Sequence, residues 1–342
     1  MSIDLTVLER TNRLLFSVEL RPIQTDRFQP TGFPSLGAAT YQAGGESKLL
    51  VESAQSMANR LELTCWDLAR NAPAPALEGI SHVTVTRKGK FLTDTILEAH
   101  RLNSPYILEN KLDPSFHNKL SQELGALEKG PIDRKQLAEV LLRYDIGSLI
   151  HGVFIAKKEL AGGRLRVARA LSAFIEATGV RVAASGGVKN DHVNPSGDAK
   201  DGFGNVPFAR DEFTADQILL HANLDLGQIR GYALGSDAEQ LLVLLALYKL
   251  RKLLDGDLRL RTACDLERLH QGPVRATRPE NFELPPLVDI EGAVGAAIAK
   301  CRDSMTHQTV TFEAELKNAK ESKQAESKDG DEAEDGEDEN ED

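Results

Sequence analysis

Three cysteines in 342 residues, Cys65, Cys264 and Cys301, stand far apart in the chain. No two have metal-ligand spacing and the count is odd, so a disulfide framework and a zinc ribbon are excluded. The thiols are expected to be buried or inert in a reducing cytoplasm. Aromatic residues make up only 5% of the chain, with a single tryptophan. No strand-like segment carries an aromatic box, so stacking of bases across a sheet face is not expected. Long apolar runs are missing as well. The greasiest, LLVLLALYKL, is about half of a membrane span. The first residues, MSIDLTVLERTNRLLF, interrupt their apolar positions with Asp, Glu and Arg, which is not the pattern of a signal peptide. There is no P-loop, no GxSxG and no HExxH, and GFGNVP lacks the third glycine of a dinucleotide fingerprint.

The chain also lacks a basic excess, with a formal net charge of -11. That figure is not evenly distributed. The last fourteen residues, DGDEAEDGEDENED, hold ten acidic groups and no basic one; without them, 42 acidic residues face 41 basic ones. The body is therefore near neutral and can carry local basic patches. Residues 313–342 are expected to form a disordered acidic tail, because such a composition cannot offset its ordering entropy by burial. The tail is either a solubilising end or a decoy that competes with nucleic acid for basic surface. On the decoy reading, deleting residues 329–342 leaves the fold intact and tightens non-specific nucleic-acid binding.

The apolar pattern of the segment Arg13–Ile23 predicts a first strand ending at Pro22, then a Pro/Gly-punctuated loop. A helix is expected from Ser53 as N-cap, with Ala54, Met57, Ala58 and Leu61 on one side and Gln55, Asn59 and Glu62 on the other. NAPAPALEG reads as a linker, HVTVTRKGKF as a strand and turn, and Thr93 to Asp145 as a polar helical insertion. SLIHGVFIA reads as a buried strand. GGRLRVARALSAFIEATGV reads as a helix closed by Gly179, with Val167, Leu171, Phe174 and Ile175 as its apolar face. Strands follow at VRVAAS and EFTADQILLHANLDL. A central helix then starts with a capping box from Ser236 to Glu239, and LRLRTACDLERL reads as a last strand. This order predicts an α+β fold, helices on a mainly antiparallel sheet, with a ferredoxin-like or RRM-like core.

Ser185–Phe208, SGGVKNDHVNPSGDAKDGFGNVPF, has almost no core-forming residues. Its Asp191, His192, Asp198 and Asp201 leave two readings open: a metal or hydrolytic site, or a solvated polar loop. The alternating oxygen ligands and closing Glu of a calcium loop are absent. His151, on an apolar segment, reads as a satisfied core histidine. Asp26 could serve as a lone acid or base, but nothing in the sequence supplies it a partner. The remaining signal is cationic: Arg21 and Arg27 with Gln29 and Thr31 in the first loop; Asn59 and Arg60 on the first helix; Arg166 with Arg169; and Lys189 with Asn190. Arginine suits bidentate phosphate contact.

Three blocks, LRPIQTDRFQPTGFPSLGAATY, LVESAQSMANRLE and RVARALSAFIEATG with SGGVKNDHVNPSG…GFGNVPFARDEFTA, resemble one family. It is the CRISPR-associated RAMP backbone subunit (seventh Cas family) of type I-G, formerly I-U, Cascade complexes. The resemblance spans roughly residues 13–270. It implies a modified RRM-like palm (1–66, 148–184 and 213–312), a fingers-like insertion (67–147) and a long hairpin thumb (185–212). It implies a protein with no catalytic role; no metal or cofactor is expected, and the cysteine usage and first residues noted above point to the cytoplasm. Its partners would be crRNA, adjacent copies of itself in a filament, the target DNA strand through the guide, other Cascade subunits and a recruited helicase-nuclease. Sequence reading would be delegated to base pairing.

Carried over, Arg21, Arg27, Gln29 and Thr31 would line the palm loop on the guide backbone. Ser53, Gln55, Ser56, Asn59 and Arg60 would meet phosphates and 2′-OH groups. Arg166 and Arg169 would flank the groove, and Lys189, Asn190 and His192 would mark the thumb's ascending strand. Val193, Phe203 or Val206 would be the wedge that splits the base stack. Two other readings stand beside this one: a RAMP-superfamily RNA endonuclease acting through Asp26 or His192, and a non-catalytic module that binds a protein partner through the acidic tail.

Overall fold

The computed structural model describes residues 3–33, 37–110, 112–125, 130–201, 203–256 and 258–314. All but the first two residues of the expected acidic tail lie outside these, as does Gly202 in the long loop. β1 (Arg13–Pro22) alternates buried Leu14, Phe16, Val18 and Leu20 with exposed or half-buried neighbours. That two-residue period lays one face of a sheet on a core. A short β2 (Thr40–Ala43) and β3 (Glu46–Glu52) lead directly into α1 (Ala54–Leu63). Helix α1 begins where expected: the Ser53 hydroxyl accepts the Ser56 N–H at 3.3 Å, and Met57, Ala58 and Leu61 are buried.

β4 (His82–Arg87) is the expected strand, and the expected turn, at Lys88 and Gly89 with φ of 49° and 71°, leads into a second strand, β5 (Lys90–Asp94), which closes a hairpin. The insertion contributes α2 (Ser115–Leu124) and α3 (Arg134–Tyr144). Next come α4 (Ile146–His151) and the ribbon of β6 (Val153–Ile155) with β7 (Leu165–Val167). β8 (Leu171–Thr178) is followed by a projecting hairpin, β9 (Arg181–Lys189) with β10 (Val206–Thr214), and by β11 (Gln217–Asp225). The chain continues through α5 (Leu226–Gly231), the buried α6 (Ser236–Asp255), β12 (Leu258–Arg261) and β13 (Cys264–Arg268). The last elements among the described residues are α7 (Leu287–Cys301) and β14 (His307–Thr311).

The main sheet runs β12-β13-β1-β11-β8-β3-β2, and every neighbouring pair is antiparallel. This is the expected α+β class. A smaller sheet joins β14 parallel to β4 and β4 antiparallel to β5. Helices α1 and α6 pack together, α1 lies against β8, and α7 packs on α6. No helix among the described residues is long and apolar enough to cross a membrane.

Several expectations change. Residues 162–180 are not a helix; they form β7, a short loop and β8. LSAFIEAT satisfies both periods, and tertiary context decides: β8 pairs with β11 and β3, and Leu171, Ala173, Ile175 and Ala177 are buried on one face of the sheet, leaving Phe174 on the opposite face beside His221. Residues 148–156 are the end of a helix and a short strand, divided by Gly152 at φ 78°. A Cβ there would meet the Val167 carbonyl oxygen at 2.8 Å, so only glycine lets the ribbon close.

Glu62 is not on a solvent face but 3% exposed. Ser236 is the first helical residue rather than the cap, which is Gly235 at φ 90°, and no side chain caps α6. The expected last strand is two strands, turning at Thr262 and Ala263. Part of the supposed linker is ordered as a two-residue strand at Ala72–Pro73, paired with Trp66–Asp67, and a 3-10 turn at Pro75–Leu77. His151 is buried but only half satisfied: Nε2 lies 3.0 Å from Lys249 Nζ, and Nδ1 has no partner. All three cysteines are free and buried, and burial pushes the Cys264 thiol up to about 11.

Candidate nucleic-acid interface

The first loop is pinned by its backbone. Phe28 exchanges two hydrogen bonds of 2.9 Å with Phe213 at the base of the hairpin. Gln29 N–H donates to the Ala263 carbonyl at 2.8 Å, and Thr31 N–H to the Val51 carbonyl at 2.9 Å. The loop therefore runs between the hairpin base, the β12–β13 turn and the end of β3. This places Arg27 and Gln29 near the start of α1. Arg27 is exposed, whereas Arg21 is paired with Glu267 at 2.7 Å.

The start of α1 is already occupied by the protein's own charges. Glu52, fully buried, accepts from Ser56 Oγ and from Arg60 Nε and pairs with Arg261. Arg60 Nη1 and Nη2 donate to the carbonyls of Arg259 and Leu260. A carboxylate at a helix N-terminus meets the same partial positive charge that a phosphate would. Gln55 and Asn59 remain exposed, while Ser53 and Ser56 are half-buried.

Arg169 joins the second cationic pair to this region. Its Nη1 donates to the Ala54 carbonyl at 3.1 Å and its Nε to the His151 carbonyl at 3.4 Å. Burial pulls the Arg60 guanidinium below the ordinary arginine range. Burial does the same to Arg169, with Arg101 adding to the effect. Both side chains are built into the wall. Arg166 differs, being exposed on β7 directly across from Phe154 of β6. These two residues open onto a cleft of about 950 Å³ whose lining includes Arg134, His100, Gln228 and Tyr232. The cleft reaches from the insertion past the β6–β7 ribbon to α5, with Arg169 in its wall. Sequence reading missed Phe154 and Arg134, because VFI reads as a buried run and RKQL as an ordinary helix surface.

The hairpin is longer than the 185–212 expected for it, pairing from Arg181↔Thr214 to Lys189↔Val206. At roughly 3.3 Å per residue its arms extend about 30 Å. Lys189, Asn190 and His192 are exposed at its far end, remote from the other cations. Val193 is 94% exposed, and Phe203 and Val206 are exposed as well. Val182, Val188 and Phe208 add further bare apolar side chains that sequence reading did not single out.

Asp191 organises the tip. Its Oδ1 accepts from the Val193 and Asn194 N–H groups at 2.9 and 3.0 Å, and its Oδ2 from Gly204 N–H at 2.8 Å. These backbone donors hold its carboxyl below the ordinary range. Asp198 accepts from Lys200 N–H at 2.9 Å. Among the described residues no group of three His, Cys, Asp or Glu could hold a metal ion. Asp26 is exposed in the loop at the hairpin's base and His192 in the loop at its tip.

The fold and the site thus define a mixed α/β protein with an antiparallel sheet, a cationic cleft and a projecting apolar-tipped hairpin. Residues 14–182 match the family model described as CRISPR-associated protein GSU0053 (Cas_GSU0053), and over that span the chain is similar to that CRISPR-associated family. No curated protein matches the chain. Among solved structures, a chain of "CRISPR RNA-guided surveillance complex, pre-nicking" aligns at 14% identity and a TM-score of 0.39, covering 75% of this chain and 76% of that one. Csc2 of Thermofilum pendens aligns at 9% identity and a TM-score of 0.31, covering 96% and 79%. A chain of another "CRISPR RNA-guided surveillance complex" aligns at 13% identity and a TM-score of 0.28, covering 85% of each.

Proposed function

We propose that the chain is a guide-RNA-holding backbone subunit of a CRISPR effector complex of the I-G type. Copies stack along the spacer of the crRNA and present it for pairing with target DNA. Other Cascade subunits close the ends, and a helicase-nuclease acts on the displayed target. The subunit itself is non-catalytic.

One observation carries this reading: a hairpin with solvent-exposed Val and Phe side chains projects from the same body that holds an arginine-lined cleft. Bare apolar groups on an extended arm suit insertion between bases, while arginines suit the backbone that runs beneath. The similarity of residues 14–182 to a CRISPR-associated family supports a guide RNA as the ligand in this reading. In this role the loop of Arg21, Arg27, Gln29 and Thr31 and the helix face of Gln55 and Asn59 border the RNA path. Arg60 and Arg169 shape its wall, and Lys189, Asn190 and His192 reach the next segment.

The test is titration of labelled single-stranded RNAs of increasing length with purified protein. The expected result is salt-dependent binding with stoichiometry rising stepwise with length. Absence of RNA binding together with failure to co-assemble with the other effector subunits would overturn the reading. RNA cleavage that disappears in Asp26→Ala or His192→Ala would instead establish the endonuclease alternative.

A further inference from the structure

Phe154 is 55% exposed although it lies in a strand whose other two residues, Val153 and Ile155, are buried. Its cross-strand partner is Arg166, also exposed. Side chains directly opposite on an antiparallel ribbon stand on the same face, close enough to act together. Both open onto the cleft, and so does Arg134, the exposed first residue of α3. Among the described residues, neither the Arg134 nor the Arg166 guanidinium has an ion-pair or hydrogen-bond partner. That sets them apart from Arg101 and Arg169, which line the same cleft but are spent on Glu62 and on backbone carbonyls.

The ribbon is held in place. Gly152 allows β6 and β7 to approach, and Asn103 Oδ1 accepts the Ala156 N–H at 3.3 Å. The opposite wall is fixed by Gln228, whose amide donates to the Ala168 carbonyl at 2.7 Å and to Tyr232 Oη at 2.6 Å. The cleft therefore offers a rigid aromatic plate and two uncommitted cations. An isolated exposed aromatic needs no explanation. One registered beside a free guanidinium, above a cationic cleft, has the composition of a base-stacking platform with a phosphate clamp.

We propose that this cleft is a subsite for one unstacked nucleotide of a single-stranded nucleic acid. The base lies on the Phe154 ring, and the adjoining phosphate is held by Arg166 and Arg134. The proposal rests on the RNA-binding reading above and deepens it: contact with the strand includes base stacking at the ribbon, not only backbone charge and hairpin insertion. Stacking is tolerant of base identity, so the subsite accepts any sequence but rejects duplex.

The test uses the full chain and an RNA of about ten nucleotides, within the footprint of one single-strand-binding module. A matched oligomer carries abasic sites. Phe154→Ala weakens binding of the intact RNA by about 5- to 100-fold, while Phe154→Trp restores it. On the abasic oligomer, Phe154→Ala and the unaltered chain bind alike. Arg166→Ala weakens both oligomers by the same factor. Thermal melting of each variant confirms that the exposed substitution leaves the fold intact.

Equal binding of intact RNA by Phe154→Ala and the unaltered chain, or an equal loss on both oligomers, overturns the proposal. So does a change in self-association of the RNA-free chain with RNA affinity preserved, which would make Phe154 a protein-docking residue. If the unaltered chain binds no RNA, the subsite falls, and if it also fails to co-assemble with the other effector subunits, the functional reading falls with it. If it binds RNA and Phe154 is silent, only the subsite fails.

Discussion

Arg101 and Glu62 form the buried ion pair on which the cleft floor depends, and its loss has a calculable effect. Arg101 is 7% exposed and sits at φ 49°, a conformation that non-glycine residues adopt only when held. Its Nε and Nη2 each donate to one Glu62 oxygen at 2.6 Å, and Nη1 donates to the Gly152 carbonyl at 3.3 Å. Burial pushes the Glu62 carboxyl upward, and Arg101 followed by Lys249 opposes that push. Removing one partner leaves a buried charge uncompensated, at a cost of about 3–5 kcal/mol. Against a typical stability of about 5–15 kcal/mol, Arg101→Met or Glu62→Met alone brings the chain close to unfolding.

The double variant Glu62→Met/Arg101→Met removes both charges together. Its expected cost is only about 1–2 kcal/mol, mainly the unsatisfied Gly152 carbonyl and imperfect packing. The coupling between the two sites is then several kcal/mol, which urea unfolding of the four chains in a double-mutant cycle measures directly. Single variants that each cost under about 1 kcal/mol, with an additive double, would refute the reasoning, because the pair would then be a solvated surface contact.

Arg166→Ala is expected to reduce the salt slope of RNA binding by about one, with little change in unfolding midpoint. Arg60→Ala should do the opposite: it loses about 2–3 kcal/mol of stability by stripping Glu52 of a partner and leaves the slope nearly unchanged. Filter binding across a salt series, with urea melts, separates the two. His307 gives a pH prediction. Burial, and then the stacked His82 ring, hold the His307 imidazole below its ordinary value near 6.5. The unfolded chain therefore takes up its proton first, so this contribution to stability is complete above about pH 6.5 and is lost as pH falls below it. His307→Asn should flatten the decline in urea midpoint between about pH 7 and 5.5; an unchanged slope assigns the decline elsewhere. His151, held well below the same value by burial and by Lys249, adds to the decline in the same direction. Asp191→Ala should speed amide exchange over residues 190–205 and leave the melting temperature unmoved, since its three acceptor bonds lie within the hairpin tip. In the unaltered chain, the same loosening should appear only as pH falls below the ordinary carboxylate range, where the depressed carboxyl finally takes up its proton.

What could be read from sequence had local causes. Ser53 caps α1, the Lys88–Gly89 turn closes the β4–β5 hairpin, and Pro22 stops β1. Each of these depends on a few neighbouring residues. LSAFIEAT failed because its Leu, Ala and Glu favour a helix, while pairing with β11 and β3 forces a two-residue period. Glu62 failed because the charge that permits its burial comes from Arg101, far along the chain. The site follows the same rule more severely. Arg60 and Arg166 look alike in sequence, each an arginine among small and apolar residues. They differ because the carbonyls of Arg259 and Leu260, 199 and 200 residues further along the chain, consume the guanidinium of one, while the ribbon register sets the other free beside Phe154. Composition shows how many arginines a chain has; only long-range pairing decides which of them remain available to a ligand. Phe154 is the sharper case: inside VFI it passes for core, yet the ribbon leaves it exposed directly across from Arg166.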